Sequence, residues 1–385
     1  MRRSDLTLRL LVLALMGGSL LGGCTRDPFD RERPEKRYGD DYTYQDLLAS
    51  EMVLRTAYTR TDGGRLAAAV AVGPSEVRVL EETAGAWTET AALSGSGLST
   101  TMLDIAPGPL GGWWVLGGSS TEGARIYRVG GPGDSTLSVP VAPLDAAWDS
   151  TGSVIGGDGQ GDFVAFLKER TQGLYRVTLA DTGWTYHQVA GTSSGSRAYD
   201  VVVNGDSEHL LFQAIAGGDT KYWRDNGDSL HTSDIPALAE NPALAVGPED
   251  EAWALGVDSN QFFLRLWRQF DGSAWLMETI PMGDMNVFPS HFDLEITSDQ
   301  RPNILISVFR GTERYDLLWG TRPAEVTAIN WDLLPVVEDT PHEAYVNRQL
   351  LFGILLDGVG DPHILFATGV PGDFDSDMVE AVPRP

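Results

Sequence analysis

GGWWVL, residues 111–116, joins a glycine turn to a run of large apolar residues, and variants of this two-part unit return along the chain. The others are GGRLAA at 63, GDFVAF at 161, SEHLLF at 207, EAWALG at 251, RPNILI at 301 and DPHILF at 361. Each follows a turn-like group and is expected to begin a strand. Gly, Asp, Asn and Pro punctuate the chain, while Val, Ile, Leu, Phe and Trp favour extended backbone. The first core-like residues are Leu66, Trp114, Phe163, Leu210, Trp253, Ile304 and Ile364, so successive units lie 48, 49, 47, 43, 51 and 60 residues apart. A mean spacing of about 50 is close to one four-stranded propeller blade.

The spacing therefore predicts an all-β chain: a β-propeller of seven blades, each mainly of four antiparallel strands. A small antiparallel sheet alone leaves its apolar faces uncovered, so such sheets stack around an axis until each covers its neighbour. A second register agrees, because Trp87, Trp184 and Trp275 each lead a strand after a polar turn and lie 97 and 91 residues apart, about two blades each time. Val201–Val203 and Ile304–Ile306 are apolar at consecutive positions, as expected of inner strands covered on both faces. FFLRLWRQF, with Arg265 on the face of Phe263 and Trp267, reads as an outer strand. The last blade looks incomplete after Phe366, and Tyr42–Leu48 is the candidate N-terminal strand to complete it. Six blades with an extra hairpin, a pair of β-sandwiches and a β-helix are the alternatives.

At 385 residues the chain would ordinarily be divided into two or three domains, which a repeat array makes unnecessary. Its 28 Lys and Arg against 54 Asp and Glu leave a net charge of -26, which should repel nucleic acid and anionic lipid. The single cysteine, Cys24, permits no intrachain disulfide and no CxxC metal site.

Arg2, Arg3 and Arg9 precede an apolar run from Leu10 to Leu21, too short to span a bilayer and suited to a secretory signal. The run ends in Leu21-Gly22-Gly23-Cys24, which resembles the lipobox of bacterial lipoproteins. The resemblance implies cleavage before Cys24, lipidation of that residue and membrane attachment in the bacterial cell envelope. Several acyl chains at one residue would anchor the protein stably. Thr25 stands where the family's inner-membrane retention signal carries Asp, which favours the outer membrane. The alternative is an ordinary cleaved signal. The expected organisation is a signal peptide at 1–23, a flexible tether at 24–40, the propeller at 41–370 and an acidic C-terminal tail at 371–385. The tether could instead pack on the body through Phe29 and Tyr38.

Asp271-Gly272-Ser273-Ala274-Trp275 resembles the Asp-box turn of sialidase-like propellers, and Asp181-Thr182-Gly183-Trp184 is a poorer copy. The Asp-box is a structural turn. A sialidase-like enzyme would also need three arginines gripping a carboxylate, with a tyrosine nucleophile and its acidic partner. Arg125, Arg265 and Arg310 lie on or beside predicted strands, where they also read as ordinary blade-surface residues. No catalytic set is assigned. Asp361-Pro362-His363 resembles a turn of repeat propellers from large-genome bacteria, and His209 occupies the same column. That column is otherwise Arg65, Trp113, Asp162, Ala252 and Asn303, so both histidines read as structural, and zinc is unsupported.

No cofactor is expected, with calcium the one option. Asp373, Asp375 and Asp377 resemble the start of a calcium loop, but Met378 stands where the EF-hand needs Gly. Asp158, Asp162, Asp357 and Asp361 recur at turns, where Asp is also an ordinary turn residue. Trp113, Trp114 and Trp148 could form a carbohydrate or peptide platform or simply pack between blades. Recognition loops are expected at Gly117–Gly123, Gly191–Arg197, Pro281–Ser290 and Val337–His342.

The resulting expectation is a lipid-anchored propeller that binds or scaffolds an unidentified protein or carbohydrate and not nucleic acid. Two alternatives are a sialidase-like glycan hydrolase and an assembly factor that captures a β-strand on an open blade edge.

Overall fold

The computed structural model describes residues 37–384 apart from 62, 95–101, 120–122, 132–134, 139–147, 150–151, 160–162, 181–182, 228, 239–240, 259–262, 271, 273, 283–287, 310–314, 323–330, 341–351 and 369–375. Two N-terminal strands, β1 (Arg37–Tyr38) and β2 (Tyr42–Glu51), precede the repeat. Blade one is β3 (Val53–Arg60), β4 (Leu66–Val72), β5 (Glu76–Thr83) and β6 (Ala86–Ser94). Blade two is β7 (Met102–Pro107), β8 (Trp113–Ser119), β9 (Gly123–Val129) and β10 (Ser135–Ser138). Blade three is β11 (Val154–Gly157), β12 (Phe163–Glu169), β13 (Gly173–Ala180) and β14 (Gly183–Gln188). Blade four is β15 (Arg197–Asn204), β16 (Ser207–Gln213), β17 (Thr220–Asp225) and β18 (Leu230–Asp234). Blade five is β19 (Ala243–Val246), β20 (Ala252–Val257), β21 (Leu264–Gln269) and β22 (Leu276–Thr279). Blade six is β23 (Phe288–Ile296), β24 (Pro302–Phe309), β25 (Tyr315–Thr321) and β26 (Asp332–Thr340). Blade seven is β27 (Phe352–Leu356), β28 (Pro362–Thr368) and β29 (Ser376–Pro383), completed by β2.

All pairings within these sheets are antiparallel, and the first strand of each blade touches the first strands of the blades on either side, from β3 round to β27 and back. The chain is a seven-bladed β-propeller. Each of the seven quoted segments supplies the second strand of its blade, the most covered position. All seven residues of β4, LAAAVAV, are buried. The apolar core divides into seven clusters, one at each seam: Ala69 with Trp113 and Val115 between blades one and two, for example, and Leu66 with Leu355 and Leu365 between seven and one. Full burial of each Leu or Val among them contributes about 1.5–3 kcal/mol, and it is realised only when the neighbouring blade is in place.

The turn between first and second strands repeats in detail. In blades one, five, six and seven the opening N–H bonds to the carbonyl four residues on: Thr61 to Arg65, Gly247 to Glu251, Thr297 to Arg301 and Asp357 to Asp361. The fourth residue is left-handed, with φ of +76° at Gly64, +61° at Asp250, +64° at Gln300 and +91° at Gly360. Glycine suits that position because it has no Cβ to clash.

Ring closure follows the expected route, because β2 pairs with β29 from Tyr42↔Pro383 to Glu51↔Ser376 and forms the outer strand of blade seven. Residues 376–383 are therefore not part of a solvated tail. Met378, Val379 and Ala381 are fully buried between β2 and β28. Arg37 and Tyr38, at the end of the expected tether, also belong to the body. They pair with Glu338 and Val337 as a fifth strand on blade six, and the Tyr38 ring packs 4.4 Å from that of Tyr44. Phe29 and Cys24 lie outside the described residues.

Val201–Val203 occupy the innermost strand of blade four, and Ile304–Ile306 the second strand of blade six. Leu264–Gln269, read as an outer strand, are the third strand of blade five, with β22 outside them. Several expected loops are partly strand: Gly117–Ser119 belong to β8, Phe288–Ser290 to β23, Val337–Thr340 to β26 and Arg197 to β15.

Candidate functional site: the axial channel and blade seams

The seven first strands surround an axial cavity of about 620 Å³, lined by residues including Arg55, Tyr58, Asp104, Asp200, Asp293 and Glu295. Its carboxyl groups follow a rule. Asp104 Oδ2 accepts the N–H of Ile155 at 2.8 Å, Asp200 Oδ2 that of Leu244 at 3.1 Å, and Asp293 Oδ2 that of Ile354 at 2.7 Å. Each bond crosses from an even-numbered blade to the first strand of the next, joining blades two to three, four to five and six to seven. Asp104 Oδ1 and Asp293 Oδ1 also accept the following backbone N–H, from Ile105 and Leu294, at 2.9 Å.

Burial pushes the Asp104 carboxyl up to about 6, against the pull of the two amides and the Arg55 guanidinium. Burial raises Asp293 to about 7, with Glu295 adding to the rise. Asp200 is held well above the usual carboxylate range by burial and by the charges of Asp293 and Asp104. Arg55 is lowered to about 10 by burial, with Asp104 acting in the opposite direction. Arg60 Nε donates to Glu295 at 3.1 Å. The wall can therefore present either hydroxyl-like carboxylic acids or carboxylates to an occupant.

Polar clusters also bridge the outer parts of the seams. Glu81 of blade one receives Arg65 Nε at 3.0 Å and, from blade two, the Trp113 indole N–H at 3.1 Å. Glu278 of blade five receives Arg322 and, at 2.9 Å, the Trp331 indole from blade six. The two non-glycine residues in the left-handed turn position reach back across a seam. Gln300 accepts from Arg268 at 2.6 Å, and Asp250 accepts from His209, Asn204, Ser207 and Arg224 of blade four.

His209 is fully buried between Asp250 and the Tyr222 hydroxyl, which lies 2.7 Å from Nδ1; His363 Nδ1 lies 2.6 Å from Glu380. His209 joins blade four to blade five, whereas His363 ties two neighbouring strands of blade seven. Trp113, Trp114 and Trp148 are buried in seams and offer no open platform. Arg125 and Arg265 lie on the third strands of blades two and five, outside the channel lining, so they do not converge; Arg310 lies outside the described residues.

Asp271 and Asp181, which head the two Asp-box resemblances, lie outside the described residues. Trp275 packs edge-on against Tyr222 and donates to Ser233 Oγ at 3.1 Å. Asp373, Asp375 and Asp162 also lie outside them, and Asp377 pairs with Thr368 of β28. Asp357 uses its side chain to accept the N–H groups of Val359 and Asp361. Among the described residues no group of three His, Cys, Asp or Glu side chains is placed to hold a metal ion.

The three channel aspartates escaped the sequence reading, which looked for carboxylates in turns. A signal was present: MLDIAP, YDVVV and FDLEI each place Asp in a short apolar run, 96 and 93 residues apart.

No protein-family model matches the chain, and no curated protein matches it. Solved structures do. The BP39L lectin from Burkholderia pseudomallei superposes with a TM-score of 0.57 at 13% identity, over 85% of this chain and 98% of the lectin. YCF48 bound to D1 peptide gives 0.53 at 14% identity, over 90% and 96%. A mutant Aleuria aurantia lectin in complex with α-methyl-L-fucoside gives 0.50 at 11%, over 76% and 98%. At these identities the likeness is one of fold.

Proposed function

We propose that this chain is a binding or scaffold module of the bacterial cell envelope, anchored through lipid on Cys24, with a carbohydrate or protein ligand. The observation that carries this reading is where the chain enters the ring. Arg37 and Tyr38 pair on the outer edge of blade six, away from the first strands that line the channel, so the described chain enters the ring at its rim. Among its structural neighbours are two lectins and a protein bound to a peptide, so this architecture is compatible with either ligand class.

The hydrolase alternative is not carried forward, because the described arginines on which it rested stand apart. Strand capture at an incomplete seventh blade loses its premise, since β2 fills that edge.

Two measurements test the proposal. Metabolic labelling with a radioactive fatty acid should mark the wild type, and Cys24→Ser should abolish both label and membrane association. The domain without its signal should retain a reproducible glycan on an array or a partner from envelope fractions, with calcium tested in parallel. Turnover of glycosides without any retained partner would overturn the binding reading, and an unlabelled wild type would overturn the anchor.

A further inference from the structure

Asp104, Asp200 and Asp293 stand on alternate blades, each bonded to the next blade's first strand, and all three line one cavity. Seven blades cannot alternate all the way round. Blade one is left over, and it supplies Arg55, whose charge acts on Asp104, and Tyr58, on which the charge of Asp293 acts. Glu295 adds to the charge around Asp293, with Arg60 bonded to it. Asp158 and Asp206 also line the cavity, whereas its lining residues from β19 and β27 are uncharged.

We propose that Asp104, Asp200 and Asp293 form one proton-linked device. Protons taken up at the axis firm the joints between blades two and three, four and five, and six and seven, and their loss leaves mutually repelling charges that loosen those joints.

The geometry supplies the coupling. A neutral carboxyl oxygen still accepts the neighbouring blade's N–H, so protonation preserves each bond while removing a buried charge. Ionisation retains the bond but places three like charges around one cavity, where Asp200 acts with both of the others. Burial raises all three groups, so the folded chain binds more protons than the unfolded chain between the ordinary carboxylate range and neutrality. The stabilising contribution is complete below that ordinary range and is lost as pH rises through the raised values. Loss of the same protons makes the channel wall more anionic, and with it changes the charge of the occupant it prefers. None of this depends on the lipid anchor or on a particular ligand.

The test uses the intact chain with Asp104→Asn, Asp200→Asn and Asp293→Asn, singly and together. Asn keeps a carbonyl oxygen for the inter-blade N–H but does not titrate. Melting temperature is followed from about pH 5 to about pH 8. The wild type should fall by several degrees relative to the triple variant as pH rises, with each single variant removing part of that fall. Infrared spectra of the folded wild type should show a carboxylic-acid band at about pH 6 that fades by about pH 8. Identical pH profiles for wild type and variants, or the absence of that band, would overturn the proposal. If the triple variant does not fold, the single variants and the wild-type band decide.

Discussion

The indole Nε1 of Trp87 donates a hydrogen bond of 2.8 Å to Oε1 of Glu380, joining the outer strand of blade one to the third strand of blade seven across 293 residues of sequence. This is a side-chain bond at the seam where the ring closes. Trp87→Phe keeps the ring's packing but removes the donor, leaving a nearly buried carboxylate short of one partner. The expected loss is about 1–3 kcal/mol in urea unfolding.

The same Glu380 oxygen faces His363. Burial disfavours the imidazolium, but the bond and the charge of Glu380 outweigh it, so the His363 pKa lies above its ordinary 6.5. Its stabilising contribution is therefore complete below that value and is lost as pH rises through the raised one. An NMR titration of His363 should show the upward shift, and Glu380→Gln should reduce it.

Asp250 combines a left-handed backbone with four side-chain donors from blade four. Burial opposes its ionisation, but the bond and charge of His209, together with Arg224, hold its pKa below the ordinary 3.8. The contribution is present above that value and is lost as pH falls through the depressed one. Asp250→Ala strips His209 of a partner and places a less tolerant residue at positive φ, for an expected cost of about 2–4 kcal/mol. Asp250→Asn should cost less. Both are read by chemical denaturation.

Gly157 ends the first strand of blade three where a Cβ would lie 2.1 Å from the carbonyl oxygen of Pro107 on blade two. Backbone on both sides leaves little room to yield, so Gly157→Ala should destabilise by about 1–3 kcal/mol. Gly63→Ala is the control. A Cβ there meets nothing closer than the Thr61 side chain at 3.7 Å, and its melting temperature should stay near that of the wild type.

The fold was legible because a local rule repeats. Leu66, Trp114, Phe163, Leu210, Trp253, Ile304 and Ile364 all lie on second strands, where coverage on both faces demands consecutive apolar residues after a turn. Even the closing strand could be named, since an incomplete last blade needs an edge partner and the early strand Tyr42–Leu48 was unassigned. Residues 376–383 were misread because Asp377 and Glu380 mask the apolar face of Met378, Val379 and Ala381, and that face is apparent only once β2 and β28 flank it.

The candidate site was less legible. His209, His363 and the tryptophans were visible as residues, but each owes its role to a partner on another strand or blade: Asp250 for His209, Glu380 for His363 and Glu81 for Trp113. The channel aspartates had the two-blade spacing already noticed for Trp87, Trp184 and Trp275, yet an acid inside an apolar strand has no evident purpose until the next blade's N–H group is beside it.

Sequence alone therefore determined the repeating unit and where its second strands fall, because backbone preference and burial of alternating or continuous apolar residues act over a few neighbours. Tertiary structure decided which carboxylates face the axis, which blades they join and how the N-terminus seals the ring. Those depend on distances between groups dozens to hundreds of residues apart, set only when the ring has closed.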